Sequence, residues 1–142
     1  MAKDVLVAYD GSPQSESALE YALEELADEN LTILYAIDPG EAGYGARAAT
    51  PSYSEEWYEQ AREAAEETLA AAEERAAAEG VTVDTAIEVG GPANAIVECA
   101  EKEAVDHVVT GSHGRSGVSR ILLGSVAETV VRRSPVPVTV VR

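Results

Sequence analysis

The feature that most constrains this chain is a regular alternation of short apolar runs with longer helical patterns. The runs are rich in valine, isoleucine and leucine, which is typical of strands buried on both faces of a parallel sheet. Because a helical pattern follows each of the first four runs, the alternation predicts a doubly wound α/β fold with right-handed crossovers and helices on both faces. The predicted strands are Asp4–Tyr9, Leu31–Ile37, Val81–Val89, Val108–Thr110 and Val136–Val141.

Capping residues predict where the helices begin. Ser12 is suited to the N-cap of the first helix, and Pro13 to its first helical position. Ser125 and Glu128 form an S-x-x-E capping box, which predicts Ser125 as the N-cap of the last helix. The two remaining helices are predicted over Glu55–Glu79 and Ala93–Glu103.

Length and composition predict one domain spanning residues 1–142. The chain is long enough to bury a sizeable core, and 46% apolar residues is too many for disorder. No apolar run approaches the length of a membrane span, and no signal-peptide pattern precedes the first strand, so a cytoplasmic location without membrane contact is expected. Cys99 is the one cysteine, which excludes an internal disulfide and predicts a packing role.

The acidity of the chain limits the classes of partner that it is expected to bind. It has 26 acidic and 10 basic residues, a net charge of −16, and arginine outnumbers lysine. This composition suggests a halophile with a high-salt cytoplasm, where charge repulsion is screened, although an ordinary acidic protein is the alternative. A nucleic-acid partner is not expected, because duplex DNA binding needs a basic surface.

Residues 39–54 contain three glycines and two prolines and have no periodicity. A segment of this length within a compact domain is usually a functional flap or a flexible loop. Its place after a strand allows Tyr44 and Arg47 to contact a ligand, but a flexible loop is the favoured interpretation.

The stretch Val108–Val131 carries the clearest functional signal. A strand leads into the glycine loop Gly111–Gly117, and a helix begins near Gly124. Glycines allow close backbone approach, and a helix N-terminus offers unpaired N–H groups and a positive dipole end. The segment from Arg115 to Arg142 has five arginines and one acid, a charge of +4, whereas residues 1–114 carry −20. Together these features indicate a phosphate site, although any single glycine is more simply a turn residue.

Other nucleotide and catalytic signatures are missing from the sequence. It has no G-x-x-x-x-G-K-[ST] motif, no G-x-G-x-x-G after the first strand and no Cys/His cluster with metal-ligand spacing. No serine stands in a recognisable triad, and no lysine lies near the glycine loop to stabilise phosphoryl transfer. No catalytic residue is therefore assigned, and any hydrolysis of a bound phosphate compound is expected to be slow.

The spacing Gly111-x2-Gly114-x9-Gly124-Ser125 resembles the glycine signature of the nucleotide-binding branch of universal stress proteins. The resemblance extends over the whole chain, from VLVAYDGSPQS and ILYAID to LLGSVAE and PVPVTVVR. It implies a Rossmann-like sheet of order 3-2-1-4-5, a homodimer formed through the strand Val136–Val141, and ATP as the ligand, with Mg²⁺ held through the phosphates rather than by the protein.

The resemblance also implies roles for particular residues. Asp10 would contact the ribose or a phosphate-bound Mg²⁺, although an Asx-turn before Gly11 is its alternative role. Backbone groups at Ala36 and Ile37 would meet the adenine. Ser125 would hold a terminal phosphate, a role that competes with capping. An exposed loop side chain is the favoured interpretation of His113, and a side chain that points to solvent is the alternative for Arg115. The candidate nucleotide-binding residues are Ala8, Asp10, Ala36, Ile37, Gly111, Ser112, His113, Gly114, Arg115, Ser116, Gly117, Gly124, Ser125 and Val126.

These observations leave three functions open. The first is a nucleotide-dependent stress-response module that binds ATP with slow or no hydrolysis. The second is a weak ATPase, or an enzyme that phosphorylates itself on His113, Ser116 or Ser125. The third is an adaptor whose nucleotide only stabilises the fold, with an unknown protein partner.

Overall fold

The computed structural model describes residues 2–42, 55–112 and 123–142. Strands and helices alternate along these ranges, as the sequence predicts. The strands are β1 (Asp4–Ala8), β2 (Asn30–Ile37), β3 (Val83–Val89), β4 (His107–Gly111) and β5 (Val138–Val141). The helices are α1 (Pro13–Glu25), α2 (Glu55–Ala78), α3 (Pro92–Lys102) and α4 (Ser125–Arg133), with a short 3-10 helix at Pro39–Ala42.

The five strands form one parallel sheet in the order β3-β2-β1-β4-β5. The predicted fold class and strand order are confirmed. The central pairing aligns Val5 with His107 and Val7 with Val109, so β1 and β4 lie side by side although they are far apart in sequence. Their carboxyl ends therefore lie next to each other at the same end of the sheet.

The two faces of the sheet bury two separate clusters of apolar side chains. Val5 and Val7 of β1 point into the cluster covered by α1 and α2. Leu6, between them, points into the cluster covered by α3 and α4, where the buried Cys99 also packs. Alternation of side chains along a strand requires this arrangement, and it explains why the strand sequences are continuously apolar. The predicted packing role of Cys99 is confirmed.

The end of α2 shows why β3 begins later than predicted. Gly80, with a φ of +77°, reverses the chain after the helix, and the N–H of Val81 donates to the carbonyl oxygen of Ala76 at 2.9 Å. Val81 thus closes the last turn of α2, as in a helix C-cap. The strand therefore begins at Val83 rather than at Val81.

The helix starts confirm one predicted cap and correct the other. Ser12 is the N-cap of α1, and its hydroxyl accepts from the N–H of Ser15. The predicted N-cap at Ser125 is wrong, because Gly124 holds the extended N-cap conformation and its carbonyl oxygen accepts from the N–H of Glu128. Ser125 is the first helical residue, so the expected capping box does not form.

Two further observations bear on the predictions. Part of the segment expected to be a loop, Pro39–Ala42, is a 3-10 helix, and residues 43–54 lie outside the described residues. Among the described residues, no helix is both long enough and apolar enough to span a membrane.

Candidate functional site

The candidate site lies where β1 and β4 end side by side and the chain leaves them in opposite directions. After β1 the chain passes through α1 to β2, and after β4 it passes through α4 to β5 on the other side. In open parallel sheets such a switch of strand order leaves a crevice beyond the carboxyl ends of the strands. Asp10 follows β1 at this crevice, and Gly111 ends β4 there.

Gly111 packs directly against the first turn of α1. A Cβ atom at this position would lie 2.7 Å from the carbonyl oxygen of Gln14 and 2.9 Å from its Cβ. No side chain fits into this contact without a shift of backbone, so glycine is required by the approach of strand and helix. This requirement differs from both the phosphate contact and the turn role considered from the sequence.

The turn after β1 is held by its own side chain. Oδ1 of the half-buried Asp10 accepts from the N–H of Ser12 at 2.9 Å, which is an Asx-turn. Gly11 has a φ of +83°, a conformation that favours glycine, and a Cβ there would touch Thr68 of α2 at 3.4 Å. The structural role foreseen for Asp10 is therefore present, and it holds the carboxylate in a defined position at the crevice.

The buried polar residues of the described chain all belong to this edge of the sheet. They are Ser12 and Ser15 at the start of α1, and Thr110 and Ser112 at the end of β4, each at most 5% exposed. Every buried side-chain nitrogen or oxygen atom in the described ranges has a hydrogen-bond partner. Because buried polar groups are destabilising unless they are paired, their concentration here marks a specialised part of the fold.

The connection between β4 and α4 has its two described ends bonded together. The N–H of Gly124 donates to the carbonyl oxygen of Ser112 at 2.6 Å, and the N–H of Ser112 donates to Val141 of β5 at 2.9 Å. The start of α4 is thereby fixed beside the end of β4. No side chain of the described residues caps α4, and the side chain of Ser125 is exposed while that of Val126 packs against the second apolar cluster. His113, Gly114, Arg115, Ser116 and Gly117 lie outside the described residues.

The end of β2 lies beside that of β1, because the two strands pair along their length. The N–H of Tyr9 donates to the carbonyl oxygen of Leu34 on the β1 side, and the carbonyl oxygen of Ile37 accepts from Gly90 on the β3 side at 2.8 Å. Successive residues of a strand present their backbone groups to opposite edges. The N–H and C=O of Ala36 therefore lie on the same edge as those of Leu34, beyond the point where β1 turns away.

This geometry distinguishes between Ala36 and Ile37, the two residues at the end of β2 that were predicted to meet the adenine. Ala36 presents a donor and an acceptor toward the crevice, whereas the carbonyl of Ile37 is used by β3 and its side chain is buried in the core. Ala8, at the end of β1, is half-buried and packs against the cluster covered by α3 and α4. Of these residues, Ala36 has the backbone groups best placed to meet a ligand.

A network behind the site joins α1 to α2. Burial, followed by a hydrogen bond to Glu16, raises the pKa of Tyr9 well above its ordinary value. Arg75 of α2 binds Glu16 at 3.0 Å and Glu20 at 2.8 Å. Tyr9, which precedes Asp10, is therefore neutral and belongs to this network through Glu16. Across the described residues, no group of three or more histidine, cysteine or acidic side chains is arranged to hold a metal ion.

A family model for universal stress proteins matches residues 1–142. The chain belongs to the universal stress protein family. Universal stress protein MJ0531 of Methanocaldococcus jannaschii is 36% identical over 143 residues, which cover 99% of this chain and 82% of that protein. Universal stress protein MJ0577 of the same organism is 32% identical over 155 residues, which cover 100% of this chain and 96% of that protein.

Solved structures of this family share the fold. The structure of MJ0577 matches with a TM-score of 0.83 and 33% identity, over 99% of this chain and 96% of that one. A crystal structure of a universal stress protein in complex with cAMP matches with a TM-score of 0.68 and 31% identity, over 99% of this chain and 97% of that one. Related proteins of this fold thus include one that binds a nucleotide.

The sequence analysis assigned no role in the site region to Ser15. It lies in α1, and its hydroxyl accepts from the N–H of Asp10 at 3.3 Å. The available signal was the S-x-x-S spacing of Ser12 and Ser15, which is hard to distinguish from ordinary helix composition.

Proposed function

We propose that this universal stress protein binds ATP, with Mg²⁺, in the crevice between β1 and β4, and acts as a nucleotide-dependent module of a stress response with slow or no hydrolysis. Family membership and the related cAMP complex support a nucleotide as the ligand class. The choice of ATP rests on the length of the glycine-rich stretch, which offers amide groups to more than one phosphate.

The observation that carries the proposal is the hydrogen bond between Gly124 and Ser112. It places the N-terminus of α4 beside the end of β4, the strand that pairs with β1. The first amide groups of an α-helix have no partner within the helix, and the positive end of the helix dipole attracts anions. The N–H groups of Ser125 and Val126 would therefore hold the terminal phosphates from one side.

The remaining parts of the nucleotide fit the other walls of the crevice. The backbone of Ala36 offers the donor and acceptor pair that the edge of an adenine requires. Asp10, held by the N–H of Ser12, would accept from a ribose hydroxyl. The backbone N–H groups of residues 111–117 would also bind the phosphates, and Mg²⁺ would be held through the phosphate oxygens.

We further propose a homodimer formed by antiparallel pairing of β5, in a high-salt cytoplasm. β5 is an edge strand, and all four of its residues, including Val138 and Val141, are half-buried in the single chain. An apolar edge of this kind favours pairing with a second strand. Light scattering in concentrated KCl should give about twice the chain mass of 14.9 kDa, and a monomer would contradict the dimer.

The experiment that tests the proposed function is the nucleotide content of the protein purified in concentrated KCl with Mg²⁺. The protein is denatured, and the released small molecules are separated by ion-exchange chromatography. Stoichiometric ATP supports the binding module, whereas ADP or AMP with multiple turnovers in a timed assay supports the enzyme. Protein that carries no nucleotide and takes up none when ATP is added would overturn the proposal.

A further inference from the structure

We propose that Ser15 is a positioning residue for the nucleotide site and that it acts through Asp10. This role rests on the proposed function, because it concerns how the same crevice is prepared for a ligand. Ser15 is 5% exposed, so it supports the turn from behind and does not line the crevice.

The hydroxyl of Ser15 takes part in two hydrogen bonds, as the donor in one and as the acceptor in the other. Its hydroxyl donates to the carbonyl oxygen of Ser12 at 2.9 Å, which uses its one proton. The same oxygen is then left as an acceptor, and the N–H of Asp10 donates to it at 3.3 Å. The hydroxyl of Ser15 therefore ties the backbone of Asp10 to the first turn of α1.

Two further bonds connect Asp10 with the first turn of α1. The N–H of Ser15 donates to the hydroxyl of Ser12 at 3.2 Å. The N–H of Ser12 donates to Oδ1 of Asp10 at 2.9 Å. The backbone and the carboxylate of Asp10 are thus both fixed by the same two serines. A group whose orientation is set before binding loses less conformational freedom when a ligand arrives.

The packing of β4 holds this set of hydrogen bonds in place. Gly111 lies against Gln14, the residue before Ser15, at a distance that leaves no room for a side chain. The first turn of α1 is therefore held to Asp10 by hydrogen bonds and to the end of β4 by close packing. Without the hydroxyl of Ser15, the N–H of Asp10 would lose its described partner, and the carboxylate would sample more orientations.

The test is a double-mutant cycle in which the affinity for ATP and Mg²⁺ is measured by calorimetry. Ser15→Ala should weaken binding about three- to tenfold in the wild-type background, the size expected for one hydrogen bond. In the Asp10→Ala background the same substitution should leave the remaining affinity unchanged, because a positioning effect needs the group that is positioned. A purely structural role would weaken binding equally in both backgrounds, and that result would overturn the proposal.

Ser17→Ala is the matched control. Ser17 lies in the same helix and donates to the carbonyl oxygen of Pro13 at 3.2 Å, but it is not bonded to Asp10. It should change affinity in neither background. If Ser15→Ala does not fold, Ser15→Cys keeps the size of the side chain with a weaker acceptor, and it should show the same dependence on Asp10.

The outcomes separate this role from the function on which it rests. Wild-type protein that binds no nucleotide would overturn the proposed function and this role with it. Wild-type protein that binds ATP, together with a folded Ser15 variant of unchanged affinity, would overturn the positioning role alone.

Discussion

Two helices begin at the same edge of the sheet, beside the two central strands, and they begin differently. The N-cap of α1 is Ser12, whose hydroxyl accepts from the N–H of Ser15. The N-cap of α4 is Gly124, and no described side chain caps this helix. The polar groups at the first start are used within the protein, whereas the donors at the second are suited to an anion supplied from outside. One start thus holds the fold and Asp10, and the other is the start that we propose binds phosphate.

A third helix start shows that the absence of a side-chain cap is not sufficient for the role proposed for α4. The N-cap of α3 is also a glycine without a side-chain cap, Gly91, but this helix follows β3, which is an edge strand of the sheet and is not paired with β1 or β4. Its first residue is Pro92, which has no N–H to offer. An uncapped start is therefore not sufficient for the proposed role, which also requires the position beside β1 and β4. Gly91 provides an internal control for substitutions at Gly124.

The largest expected effect comes from giving α4 a cap of its own. Gly124 has an extended conformation, so aspartate is compatible with the backbone, and aspartate is a favoured N-cap residue. In Gly124→Asp the carboxylate would take the helix donors and repel phosphate. We expect the affinity for ATP to fall about a hundredfold, roughly 2.8 kcal/mol, as measured by calorimetry, while the melting temperature is kept or raised.

Gly91→Asp is the control for this variant, since a Cβ there meets nothing within 4 Å. It adds the same charge and the same kind of cap to α3, and it should leave ATP affinity near that of the wild type. Equal losses in both variants would indicate a general charge effect. Unchanged affinity in Gly124→Asp would show that α4 does not hold the phosphates.

The next effect concerns the contact that holds the two sides of the crevice together. In Gly111→Ala the new Cβ would lie 2.7 Å from the carbonyl oxygen of Gln14. The backbone must shift, which we expect to lower the free energy of unfolding by about 1–3 kcal/mol. Urea denaturation measures this loss. Gly91→Ser, which adds a side chain in open space, should show none, and a fully stable Gly111→Ala would mean that the contact yields easily.

A smaller effect is expected when the cap of α1 is removed. Ser12→Ala deletes the acceptor for the N–H of Ser15 and should lower the free energy of unfolding by about 1 kcal/mol. Ser12→Thr retains a hydroxyl and should recover part of that stability. The comparison between the two helix starts would fail if Ser12→Ala were as stable as the wild type in denaturant titrations.

The smallest effect concerns pH and lies away from the crevice. His107 of β4 is 2.7 Å from the hydroxyl of Thr139 on β5, and burial, followed by the charge of Lys3, lowers its pKa. The folded state favours the neutral ring of His107. The contribution of this ring to the free energy of unfolding is therefore fully present above the ordinary histidine pKa of about 6.5, and it is lost as the pH falls below that value.

His107→Gln should therefore flatten the decrease of unfolding free energy between about pH 7.5 and pH 5.5, a range chosen around the ordinary histidine pKa. His113→Gln, which changes the other histidine of the chain, is the control and should retain the decrease. An equal slope in wild type and His107→Gln would show that this ring does not contribute.

The sequence by itself determined the class of fold, because it depends on local patterns. Continuous apolar runs such as Asp4–Tyr9 require burial on both faces, and their alternation with helices leaves a parallel sheet as the arrangement that satisfies them. The start of α1 was also readable, since Ser12 and Pro13 act on their immediate neighbours. The family resemblance supplied the strand order and pointed to the ends of β1 and β4.

Only the tertiary structure decided how those ends meet. Gly111 is required by the approach of Gln14, Ser15 reaches back to Asp10, and the N-cap expected at Ser125 is Gly124. Ile37 has its carbonyl bonded to Gly90, which leaves Ala36 facing the crevice. Each of these depends on a register of one residue, on the geometry of a turn or on a contact between distant segments, and a linear pattern does not encode distances of that kind.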